Sequence, residues 1–167
     1  MAIEADALRD EIVALLPRLR RFARALAGHP ADADDLVQIA VERALMRMDQ
    51  FQRGTRLEAW LFAIVRNAWL DEARARQRRA RIFAPAEEGE NAGDARVSSA
   101  EARLQVNALQ RAMQALPAEQ REAVALVCVE GLGYREAAET LGVPQGTLTS
   151  RLARGRDALM RMMGETP

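Results

Sequence analysis

An all-α chain, built as two small helical domains joined by a flexible acidic linker, is what this sequence predicts, and three observations predict it. Apolar residues recur at steps of three and four along most of the chain, the spacing of one helix face. Ala, Leu, Arg and Glu dominate, all good helix formers, and no stretch combines β-branched alternation with hairpin turn signals. Between residues 84 and 99 the periodicity stops. The segment "APAEEGENAGDARVSS" is rich in Gly, Ala, acids and Ser and cannot bury a core. The expected organisation is a domain at 1–83, a linker at 84–99 and a second domain at 100–167. At ~3.3 Å per residue the extended linker would span about 50 Å, so both compact and extended arrangements are open to the free chain.

The first helix is expected over 4–27, where Leu8, Ile12, Leu15, Leu19, Phe22 and Leu26 make one apolar face. Pro17 should kink it or begin its second half, and Gly28-His29-Pro30 should end it. A second helix opens on "DADDL" with Asp32 or Asp34 as N-cap and runs to about Asp49. Val37, Val41, Ala44 and Met48 face inward; Asp35, Gln38, Ile39, Glu42 and Met46 project from the other side. Large apolar residues among acids suit a contact surface, or a place where another helix of the bundle packs.

After the loop "FQRGTR" a long helix is expected from Leu57 to Phe83, with Leu57, Leu61, Ile64 and Ala68 inward. Beside them runs a polar stripe of Asn67, Asp71, Arg74 and Arg78. Residues 66–81 hold six Arg against two acids, which suits either a solvated helix end or nucleic acid. Beyond the linker, helices are expected near 100–115, 118–130, 134–141 and 145–163, with Pro117 opening the second and glycines at 131, 133 and 142 as breaks.

Composition narrows the function. The net charge is zero, but the 15 Arg of residues 1–83 face 12 acids, whereas residues 84–102 carry one Arg against five. An acidic middle thus cancels two mildly basic ends. All basic residues are Arg, which either codon usage or bidentate phosphate and guanine contact explains. One cysteine and one histidine exclude a disulfide framework and the common triads and zinc sites within this chain, so no catalytic residue, metal or cofactor is expected. Cys128, among Leu126, Val127 and Val129, reads as a buried structural thiol, and His29 as a lone surface histidine. Without an 18-residue apolar run or a signal-peptide layout, a cytoplasmic protein with no membrane insertion is expected.

The stretch "YREAAETLGVPQGTLTSRL" has the grammar of a helix-turn-helix. Ala138 is small where two helices cross, Gly142 sits where a tight turn favours positive φ, and Leu148 lies on the inner face of the second helix. In that helix Leu148, Leu152 and Leu159 fall within about 40° of each other. Thr147, Ser150, Arg154 and Arg161 lie opposite, Arg151 is at their edge, and Arg156 and Thr149 flank the packed face. Short hydroxyls allow close approach to DNA, and Arg can reach phosphate or the guanine edge.

Two blocks together resemble the bacterial extracytoplasmic-function (ECF) group of RNA polymerase sigma factors. "LPAEQREAVALVCVEGLGYREAAETLGVPQGTLTSRLARGRDAL" resembles sigma region 4, and "DADDLVQIAVERALMRMDQFQRGTRLEAWLFAIVRNAWLDEARAR" resembles region 2. The resemblance implies a non-enzymatic subunit that binds core RNA polymerase and directs promoter-specific initiation. Its 1–83 domain would be a region 2 bundle binding the β′ clamp helices through Asp34, Asp35, Gln38, Ile39, Glu42 and Met46. The same domain would melt and read the −10 element through Gly54, Thr55, Arg56, Trp60, Asn67, Arg74 and Arg78. Its 100–167 domain would be region 4, contacting the β flap and reading the −35 element with Gln145, Thr147, Ser150, Arg151, Arg154 and Arg156. The acidic linker would thread toward the RNA exit path, and an anti-sigma factor is implied as a partner. Thr149 stands where the family often has a basic residue, which removes one expected phosphate contact. Trp60 and Trp69 fit a packing role better than base stacking. A stand-alone helix-turn-helix regulator would leave the first 83 residues unused, and a sigma mimic that sequesters an anti-sigma factor should lack the DNA-facing arginines.

Overall fold

The computed structural model describes residues 2–82 and 99–164, and every regular element among them is helical. Phe83 and the expected linker, apart from Ser99, lie outside the described residues. The N-terminal half holds α1 (Ala2–Ala27), α2 (Pro30–Met46), a 3₁₀ turn at Met48–Gln50 and α3 (Leu57–Ile82). The C-terminal half holds α4 (Ala100–Ala115), α5 (Ala118–Val124), a π turn at Ala125–Val129, α6 (Tyr134–Leu141) and α7 (Gln145–Met162).

The α1 stripe packs as its spacing dictates: Ile12, Leu19, Phe22 and Leu26 are fully buried, and the Phe22 ring lies 4.9 Å from that of Phe62 on α3. The helix continues through Pro17. Gly28 ends it at φ +82°, and a side chain there would strike Gln114 of α4 as well as strain the backbone. Ala33, Leu36, Val37, Ala40 and Ala44 bury the inner face of α2. Its N-cap is neither Asp32 nor Asp34. Pro30 occupies the first turn, where a missing N–H costs nothing, and the Nδ1 of His29 accepts from the Ala31 N–H at 3.2 Å. The histidine expected to be a bystander therefore caps a helix.

In the C-terminal half the Ser99 hydroxyl caps α4 by accepting from the Ala102 N–H at 3.1 Å. The helix expected over 118–130 changes pitch at Ala125, where the Glu130 N–H bonds the Ala125 carbonyl, five residues back, at 3.0 Å. This wider turn keeps Leu126 fully buried and carries Cys128 to the open side, so the cysteine is exposed rather than buried. Gly142 closes α6 at φ +66°: its N–H bonds Glu139 and the Val143 N–H bonds Ala138, the paired bonds of a Schellman cap. Gly155 lets α7 lie close to α5, since a Cβ there would stand 2.8 Å from Val124 Cγ2.

The two halves do not stand apart. Their buried apolar residues form one connected cluster, with Met113, Leu116, Val124 and Leu126 meeting α1 and its neighbours. The last-turn carbonyls of α1 find donors across this boundary. Gln110 Nε2 donates to Arg24 O at 2.7 Å, Gln114 Nε2 to Ala25 O at 3.2 Å, and Arg121 Nη1 to Leu26 O at 2.8 Å. A helix C-terminus, with orphan carbonyls and a partial negative charge, is thus capped by side chains of α4 and α5.

Candidate nucleic-acid and partner-binding surfaces

Three surfaces collect the residues singled out from sequence. The first is the outer face of α2. Asp34, Asp35, Gln38, Glu42 and Met46 are all exposed, Met46 at 74%. Gln38 Nε2 donates to Glu42 Oε1 at 3.3 Å, which orients the acidic row. Ile39 is half-buried and packs on the core, so the bundle covers it in part. Beneath this face runs a groove of about 510 Å³ between α2 and α3, lined by Ile39, Leu36, Trp69 and Ala73 together with Gln114 and Arg121. An apolar floor under an acidic rim suits a basic partner helix.

The second surface joins the 54–56 loop to α3. Gly54 turns the chain at φ +92°, and the Thr55 hydroxyl donates to Gln52 O at 2.6 Å. Asn67, Arg74 and Arg78 are exposed along one side of α3, with Asp71 between them held by Arg43 at 2.9 Å. Trp60 is half-buried, its ring 5.3 Å from Phe51, and Trp69 has the Arg121 guanidinium 5.7 Å from its centroid. Both tryptophans therefore pack, as their periodicity suggests. The Arg excess of this helix divides by pairing. Arg66 bonds the buried Glu122 at 2.9 Å, Arg76 reaches Asp32 at 2.8 Å, and Arg79 reaches Glu72 at 2.8 Å.

Arg56 is the exception within the loop: it bonds Glu58 beside it and Glu136 of α6, the latter at 2.7 Å. Burial alone would raise the Glu58 carboxyl, but the Arg56 hydrogen bond and charge hold it below the ordinary carboxylate range. Glu122 goes the other way. Burial pushes its carboxyl up, and Arg66 only partly offsets that.

The third surface is α7. Leu148, Leu152 and Gly155 are buried, whereas Gln145, Thr149, Arg154 and Arg156 are exposed and Thr147 and Ser150 are half-buried at the margin. Arg154 Nη2 donates to the Ser150 hydroxyl at 2.8 Å, aligning the guanidinium along the outward face. Thr149 turns its hydroxyl back to Gln145 O at 2.9 Å. Arg151 is turned toward α5, 3.5 Å from Glu119, with only 21% of its side chain exposed. Of the six residues expected here, Gln145, Arg154 and Arg156 lie on the open side, Thr147 and Ser150 at its margin, and Arg151 turns toward α5. Sequence reasoning passed over Arg121, Glu130 and Glu136, which join the halves; charged residues whose partners across the boundary lie 80 to 112 positions away leave no local signal.

A family model for Sigma-70 region 2 matches residues 12–79, and one for Sigma-70 region 4 matches residues 107–159. The ECF RNA polymerase sigma factor EcfG of Rhodopseudomonas palustris is 39% identical over 159 residues, covering 95% of this chain and 86% of that relative. SigM, an ECF sigma factor of Mycobacterium tuberculosis, is 38% identical over 88% of this chain and 72% of its own. Among solved structures, the sigma factor RpoE in complex with the anti-sigma factor NepR from Bartonella quintana superposes with a TM-score of 0.82 at 32% identity, covering 93% of this chain and 96% of that one. CnrH in complex with the cytosolic domain of CnrY shares the fold, with a TM-score of 0.71 at 24% identity over 95% of this chain and 88% of its own. With both sigma regions present in order and relatives above 30% identity over most of their length, this chain belongs to the ECF RNA polymerase sigma factors.

Proposed function

We propose that this protein binds core RNA polymerase and directs it to promoters, reading DNA at two places with two chemistries. The observation that carries the reading is the pairing of two outward polar faces, on α3 within region 2 and on α7 within region 4, in a single chain. Thr147, Ser150, Arg154 and Arg156, with Gln145 at the helix start, would enter the major groove at the −35 element. Small hydroxyls permit close approach there, and Arg154 is already extended along the face. Arg151, turned toward α5, would serve a flanking phosphate.

The −10 element would be read as single strand. Asn67, Arg74 and Arg78 offer a cationic, hydrogen-bonding track for a backbone, and the Gly54-Thr55-Arg56 loop would take an extruded base, with Trp60 as a packed wall rather than a stacking platform. Strand opening needs no catalytic group. Captured bases offset lost pairing and stacking, a few kcal/mol per step. Asp34, Asp35, Gln38, Glu42 and Met46, with the groove beside Ile39, would seat a clamp helix of the β′ subunit. Region 4 would contact the β flap, an anti-sigma factor would hold the free protein, and the cytoplasm, where polymerase works, would be its place. No helix among the described residues is long and apolar enough to cross a membrane.

Run-off transcription with core polymerase and a library of promoter-bearing genomic fragments tests the reading. Discrete transcripts that require this protein are expected. Binding to duplex DNA without any polymerase-dependent transcript would instead make it a stand-alone regulator, and binding to neither would make it a mimic.

A further inference from the structure

The outward face of the first turns of α7 is built from short side chains. Gly146, Thr149 and Ala153 are exposed and Ser150 lies half-buried beside them, at the i, i+3, i+4, i+7 spacing of one helix face. A Cβ added at Gly146 would meet nothing within 4 Å, so the start of the helix is open on that side. With no side chain longer than threonine on this stripe, the helix can settle deep in a major groove. Base edges then come within reach of a methyl group.

Both hydroxyls on the stripe are already engaged. Ser150 Oγ accepts from Arg154 Nη2 at 2.8 Å, and Thr149 Oγ1 donates to Gln145 O at 2.9 Å. The Thr149 proton is spent on the carbonyl four residues back, a bond that threonine makes readily within a helix. What the residue has left to offer a neighbour is its γ methyl, and the Ala153 methyl follows one turn on. Gln145, Thr149, Ala153 and Arg156 run as one exposed lane along α7, with a polar group at each end and methyls between. Thymine is the base that presents a methyl in the major groove, and apolar contact with Ala or with a Thr methyl is a way of reading it.

We propose that Thr149 is a specificity-determining residue of the duplex reader: its γ methyl, with Ala153 beside it, packs on the C5-methyl of a thymine in the −35 element. The proposal rests on the assignment of α7 to that element. Its consequence is a change in what the position contributes. A basic residue there would strengthen binding to any sequence through phosphate, whereas Thr149 makes binding depend on one base.

The test uses the full chain assembled with core polymerase. Selection from a duplex library randomised upstream of the transcription start, by binding to this holoenzyme, yields the preferred upstream element. Each of its thymines, on either strand, is then replaced singly by deoxyuridine, which removes the C5-methyl and leaves the pairing and the O4 acceptor intact. One such replacement is expected to weaken binding of the parent about fourfold, the scale of one buried methyl contact. T149S keeps the hydroxyl without the methyl and should bind the thymine and deoxyuridine duplexes alike. T149V keeps the methyl without the hydroxyl and should retain the parent's discrimination. Because Thr149 is exposed, both variants should keep the parent's helical content by circular dichroism. An element with no thymine, or one indifferent to every deoxyuridine, would overturn the proposal. So would discrimination that survives in T149S, which gives the methyl another reader, or that disappears in T149V, which puts the hydroxyl in charge. Failure of the promoter reading looks different: the holoenzyme then selects no upstream element at all, R154A changes nothing, and the proposal falls with it.

Discussion

On α3, Arg66 and Arg76 are tied to Glu122 and Asp32 at 2.9 and 2.8 Å, whereas on α7 Arg154 leans on nothing stronger than the Ser150 hydroxyl and Arg156 faces solvent. Both helices are Arg-rich, and from the sequence both read as nucleic-acid faces. What separates them is where the carboxylates lie. Guanidiniums bonded to acids from other elements hold the protein together, and those on open faces remain for DNA. Arg56 belongs to both groups, exposed in its loop yet bonded to Glu136 of α6 at 2.7 Å.

The largest expected effect comes from an inward arginine. Arg121 donates to the carbonyls of Met113, Gln114, Leu116 and Leu26 and to the Gln114 side chain, so R121A leaves several buried acceptors unpaired. It should cost about 3 kcal/mol in urea unfolding. A loss under 1 kcal/mol would break the distinction between inward and outward arginines. Next is Gly155: in G155A the new methyl must displace Val124 and crowd the Gln120 backbone, at a cost of about 2 kcal/mol, with α7 loosened on α5.

An outward arginine should behave oppositely. R154A is expected to weaken use of the −35 element about tenfold while leaving the melting temperature and core affinity unchanged. Equal loss of core binding would show the face assignment to be mistaken. I39S/M46S should weaken core binding by a smaller factor, mostly through Met46, because Ile39 is partly covered by its own bundle.

The smallest effect is in pH. Burial raises the Glu122 carboxyl in the folded state, so its favourable contribution is complete below the ordinary carboxylate range and is lost as pH rises through the raised value. E122Q, which can still accept from Arg66, should therefore gain in melting temperature relative to the parent between pH 5 and 7. A difference that shrinks over that range would mean that the Arg66 pair outweighs burial.

How much of this was legible in the sequence follows from range. The spans of α1, α3, α4, α6 and α7, the inner faces of α1 and α7, and the Gly142 turn are set by residues within a few positions of each other, and each lies where its period or φ demands, whereas α2 ends at Met46 and α5 at Val124, short of the expected spans. The His29 cap was missed because Pro30 lets the helix start two residues before the acids that resemble caps. Cys128 was misplaced because helical periodicity assumes a constant pitch, which the π turn breaks. The closed boundary was out of reach altogether: Glu130 finds Arg18 and Arg21 more than a hundred residues away. The α2 face was half legible, since its acids project as expected while Ile39 is shared with the core.

Footprinting the holoenzyme on one promoter it transcribes addresses the central claim, that two separate outward faces read two separate elements. Nuclease protection should appear over upstream duplex and permanganate reactivity over a downstream opened stretch. R154A should erase the upstream protection and R74A/R78A the downstream reactivity, each largely sparing the other. If both variants lost both signals equally, or neither lost either, the two-surface account would be contradicted.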